Sequence, residues 1–473
     1  VIITYGGDDV ITIDGAGDKT IDGGTGTDTV SISYSGITGL SSFSLSMSSE
    51  GILSLVNSSS ETISLANIID TSAGEGAGIT VNSKDYDFVD SQSSSNSRGR
   101  SSIHDGSLGS TQGVAYNASG NEVVMYEENS NGFATFHAAR INGYSLGNTA
   151  LSISGSSAKD IITASSQADV ISTGSGNDQV AGSAGEDNIN LGEGNDVAFV
   201  SVSDLTVDTA IDGGTGSDTL NFGQIYNVTL TGHSYDSSVN VDMASLGNAT
   251  NFENLVGTIS GNDTLKGNSS DNVIIGSGAS DILYGESGND VIYGDYASTD
   301  NSGTTYGLRY YDIQSSQGND KLYGGAGDDI LSGNGGDDTL DGGTGADTIT
   351  TGSGSDQIIL RAGDGGNALS DADIITDFTD GSDVLGLDGG LQYTELTITQ
   401  GTGDYANDTI ASKGSEYLAI LQGIDVGNIN YYDFVSTATG TQTRTGTSGS
   451  DALLGAPGVD TVTSGTGSDV IIT

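Results

Sequence analysis

"GSGNDQVAGSAGEDNINLGEGNDV", residues 174–197, returns an aspartate every ninth position, at Asp178, Asp187 and Asp196. A glycine stands two places before each one, and Val180, Ile189 or Ala198 two places after. The phase holds far beyond this stretch. One block carries Asp160, Asp169, Asp178, Asp187 and Asp196, and a second carries Asp263, Asn272, Asp281 and Asp290. A third carries Asp320, Asp329, Asp338, Asp347 and Asp356, and a fourth Asp451, Asp460 and Asp469. Nine residues divide into roughly six that turn and three that extend, and the middle side chain of an extended triplet points opposite to its neighbours. The apolar residue then enters a core while the polar ones stay outside. Two such half-turns make one coil of a flat solenoid, stable only when stacked on other coils.

Composition agrees with a turn-dense β architecture. The 473 residues include 75 Gly, 1 Pro and no Cys. Collagen needs abundant proline, and a disordered linker lacks regularly spaced Val, Ile and Leu. The formal charge is −51, from 63 acidic and 12 basic residues, and about a fifth of the acids are glutamate. Aspartate is the acid whose short side chain reaches a nearby turn. This charge repels nucleic acid and anionic membranes, and it resists compaction unless cations neutralise it. No apolar run is long enough to span a bilayer. The chain opens on Val1 and stops on "GSDVIIT" in mid-pattern, which reads as a segment of a longer or processed polypeptide.

The expected organisation is all-β: parallel β-roll modules, a β-helix-like solenoid, with flanking strands and a β-rich cap. Residues 1–34 start a roll, 35–158 form a strand-rich flank with an atypical insertion, and 159–222 form a roll. Residues 223–260 form a second flank and 261–365 a roll interrupted at 295–317, where the Asp290 to Asp320 spacing exceeds one step by 21. Residues 366–446 form a closing cap, and 447–473 begin another roll. The flanks, with alternating apolar and Ser/Thr positions, read as longer strands.

Residues 18 apart should lie in adjacent coils on one side, so Asp160, Asp178 and Asp196 form one column and Asp169 and Asp187 the other. A hard cation takes six to eight oxygens from carboxylates and carbonyls, and glycine-rich turns expose carbonyls. Two calcium ladders along the edges answer the charge problem. "GGAGDDILS", "GGTGADTIT" and "GESGNDVIYG" resemble the nonapeptide of the RTX (repeats-in-toxin) family. That resemblance implies a parallel β-roll, Ca²⁺ held by turn carbonyls and the sixth-position aspartate, and export by a type I secretion system. It makes the aspartates of the four blocks metal ligands, with Asp9, Asp28 and Asp218 as further members. Two departures stand out. Asn272 fills an aspartate slot, and Ser165 to Ala168 lack the glycines, which counts against calcium near Asp169. "DADIITDFTDGSDVLGLDGG", 371–390, resembles the segment that closes such rolls, with Phe378 as plug and Asp373, Asp377 and Asp383 as ligands of another ion.

No HExxH zinc motif and no GxSxG nucleophile elbow is present. His104 and His137 lie with Arg98, Arg100, Arg140, Glu127 and Glu128 in the atypical region, which reads as an inserted β segment rather than a catalytic site. Tyr306, Tyr310 and Tyr311 beside Arg309 suit a contact surface better than a sugar site. The expectation is therefore a non-enzymatic, secreted calcium-binding structural protein: a surface layer, extracellular filament or large adhesin that self-associates or meets cell-surface components. The alternatives are the non-catalytic part of an exported hydrolase or toxin, and a carbohydrate-binding adhesin module that binds glycans.

Overall fold

The computed structural model describes most of residues 1–66, 150–223, 237–295 and 317–438, with shorter strands in 78–142 and 443–472. Contact clustering divides the chain into two units: residues 1–220 with 227–234 and 247–252, and residues 221–226 and 235–246 with 253–473.

In the first unit the roll is built from two parallel stacks of short strands. One contains Asp160–Thr163, Gln179–Ala181 and Val197–Phe199, and the other Ser152–Ser154, Val170–Ser172, Asn188–Asn190 and Ala210–Asp212. The register Ile171↔Ile189 is one coil of 18 residues. The residue two places after each aspartate is the core: Ile162, Ile171, Val180, Ile189 and Ala198 are all buried. Where Ala198 leaves volume, Phe199 and Val200 beside it are buried as well.

The N-terminal part of this unit starts a roll with a slightly longer coil, pairing Ile2↔Ile21 and Ile11↔Val30 in parallel. The first flank then forms the longer strands its alternation predicts. Phe43–Met47, Leu53–Asn57 and Thr62–Ala66 pair antiparallel, and Phe43, Leu45, Leu53, Leu55, Ile63 and Leu65 enter a core shared with Ile21, Val30 and Ile32. The atypical region contributes Lys84–Asp90, Gln112–Asn117 and Glu122–Glu128 as antiparallel strands. His104, His137 and His233 lie outside the described residues.

The second flank departs from the expectation of longer strands. Its described strands, Asn240–Asp242, Ala249–Thr250 and Asn254–Val256, have two or three residues each. Left-handed backbone at Gly247 (φ 65) and Asn251 (φ 58) and the 3-10 turn Met243–Ser245 cut extension short.

The second unit holds the longest roll. One stack runs Asn240–Asp242, Thr264–Lys266, Ile282–Ser287, Lys321–Ala326, Thr339–Thr344, Gln357–Leu360, Val384–Leu387 and Phe434–Ser436, all parallel. The facing stack runs Asn254–Val256, Val273–Ile275, Val291–Tyr293, Ile330–Ser332, Thr348–Thr350 and Asp373–Ile375. Between them lies a file of fully buried aliphatics: Leu265, Ile274, Leu283, Ile292, Leu322, Leu331, Leu340, Ile349 and Ile358. Thr397–Gln400, Thr409–Lys413 and Glu416–Leu421 close this roll as an antiparallel set, joined in parallel to Asp373–Ile375. Phe378 is buried at this end, and Phe434 packs on Tyr393 with ring centroids 4.9 Å apart. Beyond the cap, Leu453↔Ile471 and Arg444↔Val462 restore the parallel 18-residue coil.

Candidate metal centre

Each repeat aspartate sits where a turn ends and a strand begins, and the stacking of coils places equivalent aspartates one above another. One carboxylate oxygen is spent on the backbone. Asp178 Oδ1 accepts the N–H of Asp160 at 2.7 Å, and Asp196 Oδ1 that of Asp178 at 2.7 Å. Asp187 Oδ1 accepts the N–H of Asp169, and Asp218 Oδ1 that of Asp196. In the second unit Asp263, Asp281, Asp320, Asp338, Asp356 and Asp383 form one such chain, each donating its N–H to the next. Asn272, Asp290, Asp329, Asp347 and Asp373 form the other. Near the N-terminus Asp28 Oδ1 accepts the N–H of Asp9 at 3.0 Å. The two edge columns read from the spacing are therefore continuous carboxylate–amide ladders. Asp451, Asp460 and Asp469 lie outside the described residues.

The second oxygen is the chemically telling one. In Asp28, Asp187, Asp196, Asp281, Asp290, Asp320, Asp329, Asp338 and Asp356, Oδ2 is buried with no hydrogen-bond partner among the described residues. A buried carboxylate oxygen without a donor carries a desolvation penalty of about 1–3 kcal/mol or more. Burial accordingly dominates the acidities. Asp281 is pushed up to about 9 by burial, against the hydrogen bond from the Asp263 N–H and with reinforcement from the charges of Asp320, Asp263 and Asp295. Burial raises Asp187 and Asp338 to about 8, and Asp196 and Asp290 to about 7, neighbouring carboxylates adding to each.

Beside the orphaned oxygens of Asp281, Asp290, Asp320, Asp329 and Asp338 lies a glycine cradle with a carbonyl of the next coil. A Cβ placed on Gly285 would stand 2.3 Å from Asp290 Oδ2 and 2.4 Å from the Gly324 carbonyl oxygen. At Gly276 the same atom would stand 2.3 Å from both Asp281 Oδ2 and the Gly294 carbonyl, and at Gly324 it would stand 2.4 Å from Asp329 Oδ2 and the Gly342 carbonyl. Glycine is required there because a side chain would fill the space into which the oxygens point. Among the described residues no three acidic or histidine side chains converge on one point, so any cation must draw most of its ligands from the main chain. Carboxylate and carbonyl oxygens with no nitrogen or sulfur suit a hard cation such as Ca²⁺. The residues fit the group that the repeats imply.

Three positions differ. Asp169 Oδ2 accepts the Ser165 N–H at 2.7 Å and its hydroxyl at 2.9 Å. Asp263 Oδ2 accepts the N–H of Thr258 at 2.5 Å and its hydroxyl at 3.1 Å. Asn272 donates Nδ2–H to the Glu253 carbonyl at 2.8 Å and accepts the Asn268 N–H. At the closing end, Asp383 Oδ2 accepts the Thr379 N–H, and both oxygens of Asp377 serve the N–H groups of Thr351 and Gly352. Asp373 is buried and paired to the Asp347 N–H, and burial together with the Asp347 charge holds its acidity well below the ordinary carboxyl.

Several participants were not singled out from the sequence. Asp208 continues the Asp169–Asp187 column, accepting the Asp187 N–H at 3.1 Å although the short helix Asp204–Val207 lengthens that coil. Asp295 is fully buried where the regular coil is interrupted, and its two oxygens accept the N–H groups of Gly318 and Gly335. Where Asn or Asp stands just before the aspartate, a second ladder of opposite direction forms. Asn177 accepts from Asn195 N–H, Asp271 from Asn289, Asn289 from Asp328, and Asp328 from Ala346. The recurring "ND" and "DD" pairs were the available signal.

The RTX calcium-binding nonapeptide repeat matches residues 154–189, 163–198, 258–294, 312–340, 332–365 and 445–473. The chain thus carries RTX calcium-binding nonapeptide repeats in several copies along its length, and its parallel strand stacks are those of a β-roll. No curated protein sequence matches it. Among solved structures, a subunit of the Azotobacter vinelandii mannuronan C5-epimerase, AlgE6R3, is 25% identical over 34% of this chain and 80% of its own, with a TM-score of 0.13. The extracellular lipase LipA from Serratia marcescens is 13% identical over 66% of this chain and 44% of its own, with a TM-score of 0.20. At those scores neither likeness bears on function.

Proposed function

We propose that this is a secreted structural protein whose β-rolls fold by loading calcium into the two edge columns, and which builds a surface layer, an extracellular filament or a large adhesin. The observation that carries the calcium part is the row of buried Oδ2 atoms without donors, those of Asp281, Asp290, Asp320, Asp329 and Asp338 beside a carbonyl of the next coil. Asp28, Asp187, Asp196, Asp281, Asp290, Asp320, Asp329, Asp338 and Asp356 are the side chains that would hold the ions, with turn carbonyls completing each shell. Bound calcium supplies positive charge between rungs that otherwise repel. The chain's own part is to preorganise: Oδ1 is fixed by the amide of the preceding coil, and the core file sets the rung spacing.

Calcium dependence suits export. At low free calcium the charge of −51 favours an extended chain, and at the millimolar calcium found outside cells the columns fill. Type I secretion and an extracellular or cell-surface location follow from this reading, as does self-association. The building role is supported by repeats that recur from residue 154 to 473 around intervening β segments. Elemental analysis and circular dichroism with and without chelator test the calcium part, which fails if β content and rigidity persist in metal-free protein. Electron microscopy of the calcium-loaded protein tests assembly. Ordered sheets or filaments are expected, and strictly monomeric particles that do not attach to cells reject it.

A further inference from the structure

The aspartate slots divide into two turn geometries. In the first, the residue four places before the aspartate has left-handed backbone. Ser183 (φ 73), Ser277 (φ 91), Glu286 (φ 80) and Asn334 (φ 70) take this conformation although they carry a Cβ. Their aspartates, Asp187, Asp281, Asp290 and Asp338, all have an Oδ2 without a donor. Glycine takes the same position and conformation before Asp196, Asp329 and Asp356. A side chain in the left-handed region is disfavoured, so its recurrence at one turn position signals a constraint on where the peptide points. Here no turn N–H reaches the second carboxylate oxygen, and the Ser277 N–H goes to the Gly294 carbonyl instead.

The second geometry is found at Asp169, Asp263 and Asn272, and again at Asp383 in the closing end, where Thr379 donates its N–H. Ser165 and Asn268, again four places before, are not left-handed, and each donates its N–H to the side-chain oxygen that is orphaned elsewhere. In the Asp263 slot the turn is one residue longer: Gly257 lies against Asp263 Oδ2 as Gly276 lies against Asp281 Oδ2, and Thr258 supplies the N–H and a hydroxyl. A donor hydrogen pointing at the carboxylate satisfies it and presents positive charge where a cation would approach. Asp169, Asp263 and Asn272 fall in the first coil of the repeat blocks that begin at Asp160 and Asp263, and Asp383 lies at the closing end.

Resting on the calcium reading above, we propose that Ser165, Thr258 and Asn268 close their slots to calcium, so that the blocks beginning at Asp160 and Asp263 start with a coil fastened by its own donors. Whether the turn N–H meets the side-chain oxygen or the turn enters the left-handed region then sets occupancy slot by slot.

The test uses the full chain, loaded with calcium, passed through gel filtration and assayed for calcium per chain. Ser165→Gly with Gln167→Gly gives residues 164–169 the glycine spacing of "TGSGND", 173–178. One additional calcium per chain is expected. An unchanged count in a variant with wild-type circular dichroism overturns the inference. Should the variant fail to fold, anomalous diffraction from calcium-loaded wild-type crystals decides. Peaks beside Asp187, Asp281 and Asp290 with none beside Asp169, Asp263 or Asn272 support it, and a peak within about 2.6 Å of Asp169 or Asp263 Oδ2 overturns it. No calcium in either protein would instead remove the calcium reading itself.

Discussion

Replacing Asp281 by Asn should have opposite effects with and without calcium. Asp281 is buried, its Oδ1 accepts the Asp263 N–H at 2.7 Å, and its Oδ2 lies in the cradle with the Gly294 carbonyl. Asparagine can keep Oδ1 on the Asp263 N–H and put its amide nitrogen where the orphaned oxygen stands, which removes the charge; at Asn272 the amide sits the other way round, its oxygen on the Asn268 N–H and its Nδ2–H on the Glu253 carbonyl. The carboxyl rises from 3.8 to about 9 on folding without metal, burial being the main cause. Because the folded value is raised, folding must bind a proton at any pH between the two. From 3.8 to pH 7 lie about three pH units at roughly 1.4 kcal/mol each, so this group destabilises the ion-free roll by on the order of 4 kcal/mol at neutral pH. The penalty vanishes below about pH 4 and stops growing above about pH 9. In chelator at pH 7, where the charged columns leave the wild type largely extended, Asp281→Asn should therefore raise the residual β content, and the gain over wild type should fade as the pH is lowered toward 4. In excess calcium the same variant should bind one ion fewer and unfold at lower urea. Circular dichroism in four conditions, with and without calcium at each pH, reads all of this. If the variant is as destabilised in chelator as in calcium, the residue acts as a hydrogen-bonding strut and the charge argument fails.

Gly285→Ala should remove the ion at Asp290 and destabilise the calcium form by about 1–3 kcal/mol, the usual effect of overpacking. Leu331→Ala, in the buried file, should lower stability by about 2–5 kcal/mol in calcium without changing ion count. Arg361 pairs with Asp341, Asp364 and Asp388 at 2.7, 2.8 and 3.0 Å, so Arg361→Ala should weaken the closing end by about 1–3 kcal/mol at any calcium level, as judged by thermal unfolding.

The nine-residue phase made the roll legible because every element repeats it. Ile171, Leu283 and Leu331 must be inside once the aspartates mark the turns, and the columns follow from a coil of two repeats. What stayed hidden were features with no period. Asp208 and Asp295 enter the ladders out of phase, after a helical turn and at the start of an interruption, so spacing could not reach them. The distinction between Asp187 and Asp169 depends on backbone conformation at Ser183 and Ser165, the same residue type with opposite geometry. Alternation in the second flank predicts long strands, but it says nothing of left-handed breaks at Gly247 and Asn251.

The regular coil stops at Asp295 and resumes at Gln317, yet Leu283 pairs with Leu322 and Tyr284 stacks on Tyr323, ring centroids 4.9 Å apart, as neighbouring rungs do elsewhere. Pairing on either side takes no notice of the 39-residue offset. Each rung recognises only the rungs it touches, so chain length added at a bend leaves the register untouched. The bend after Asp295 is thus a natural graft point: an epitope, an enzyme or a tether could be spliced there and carried on a scaffold that keeps its own count.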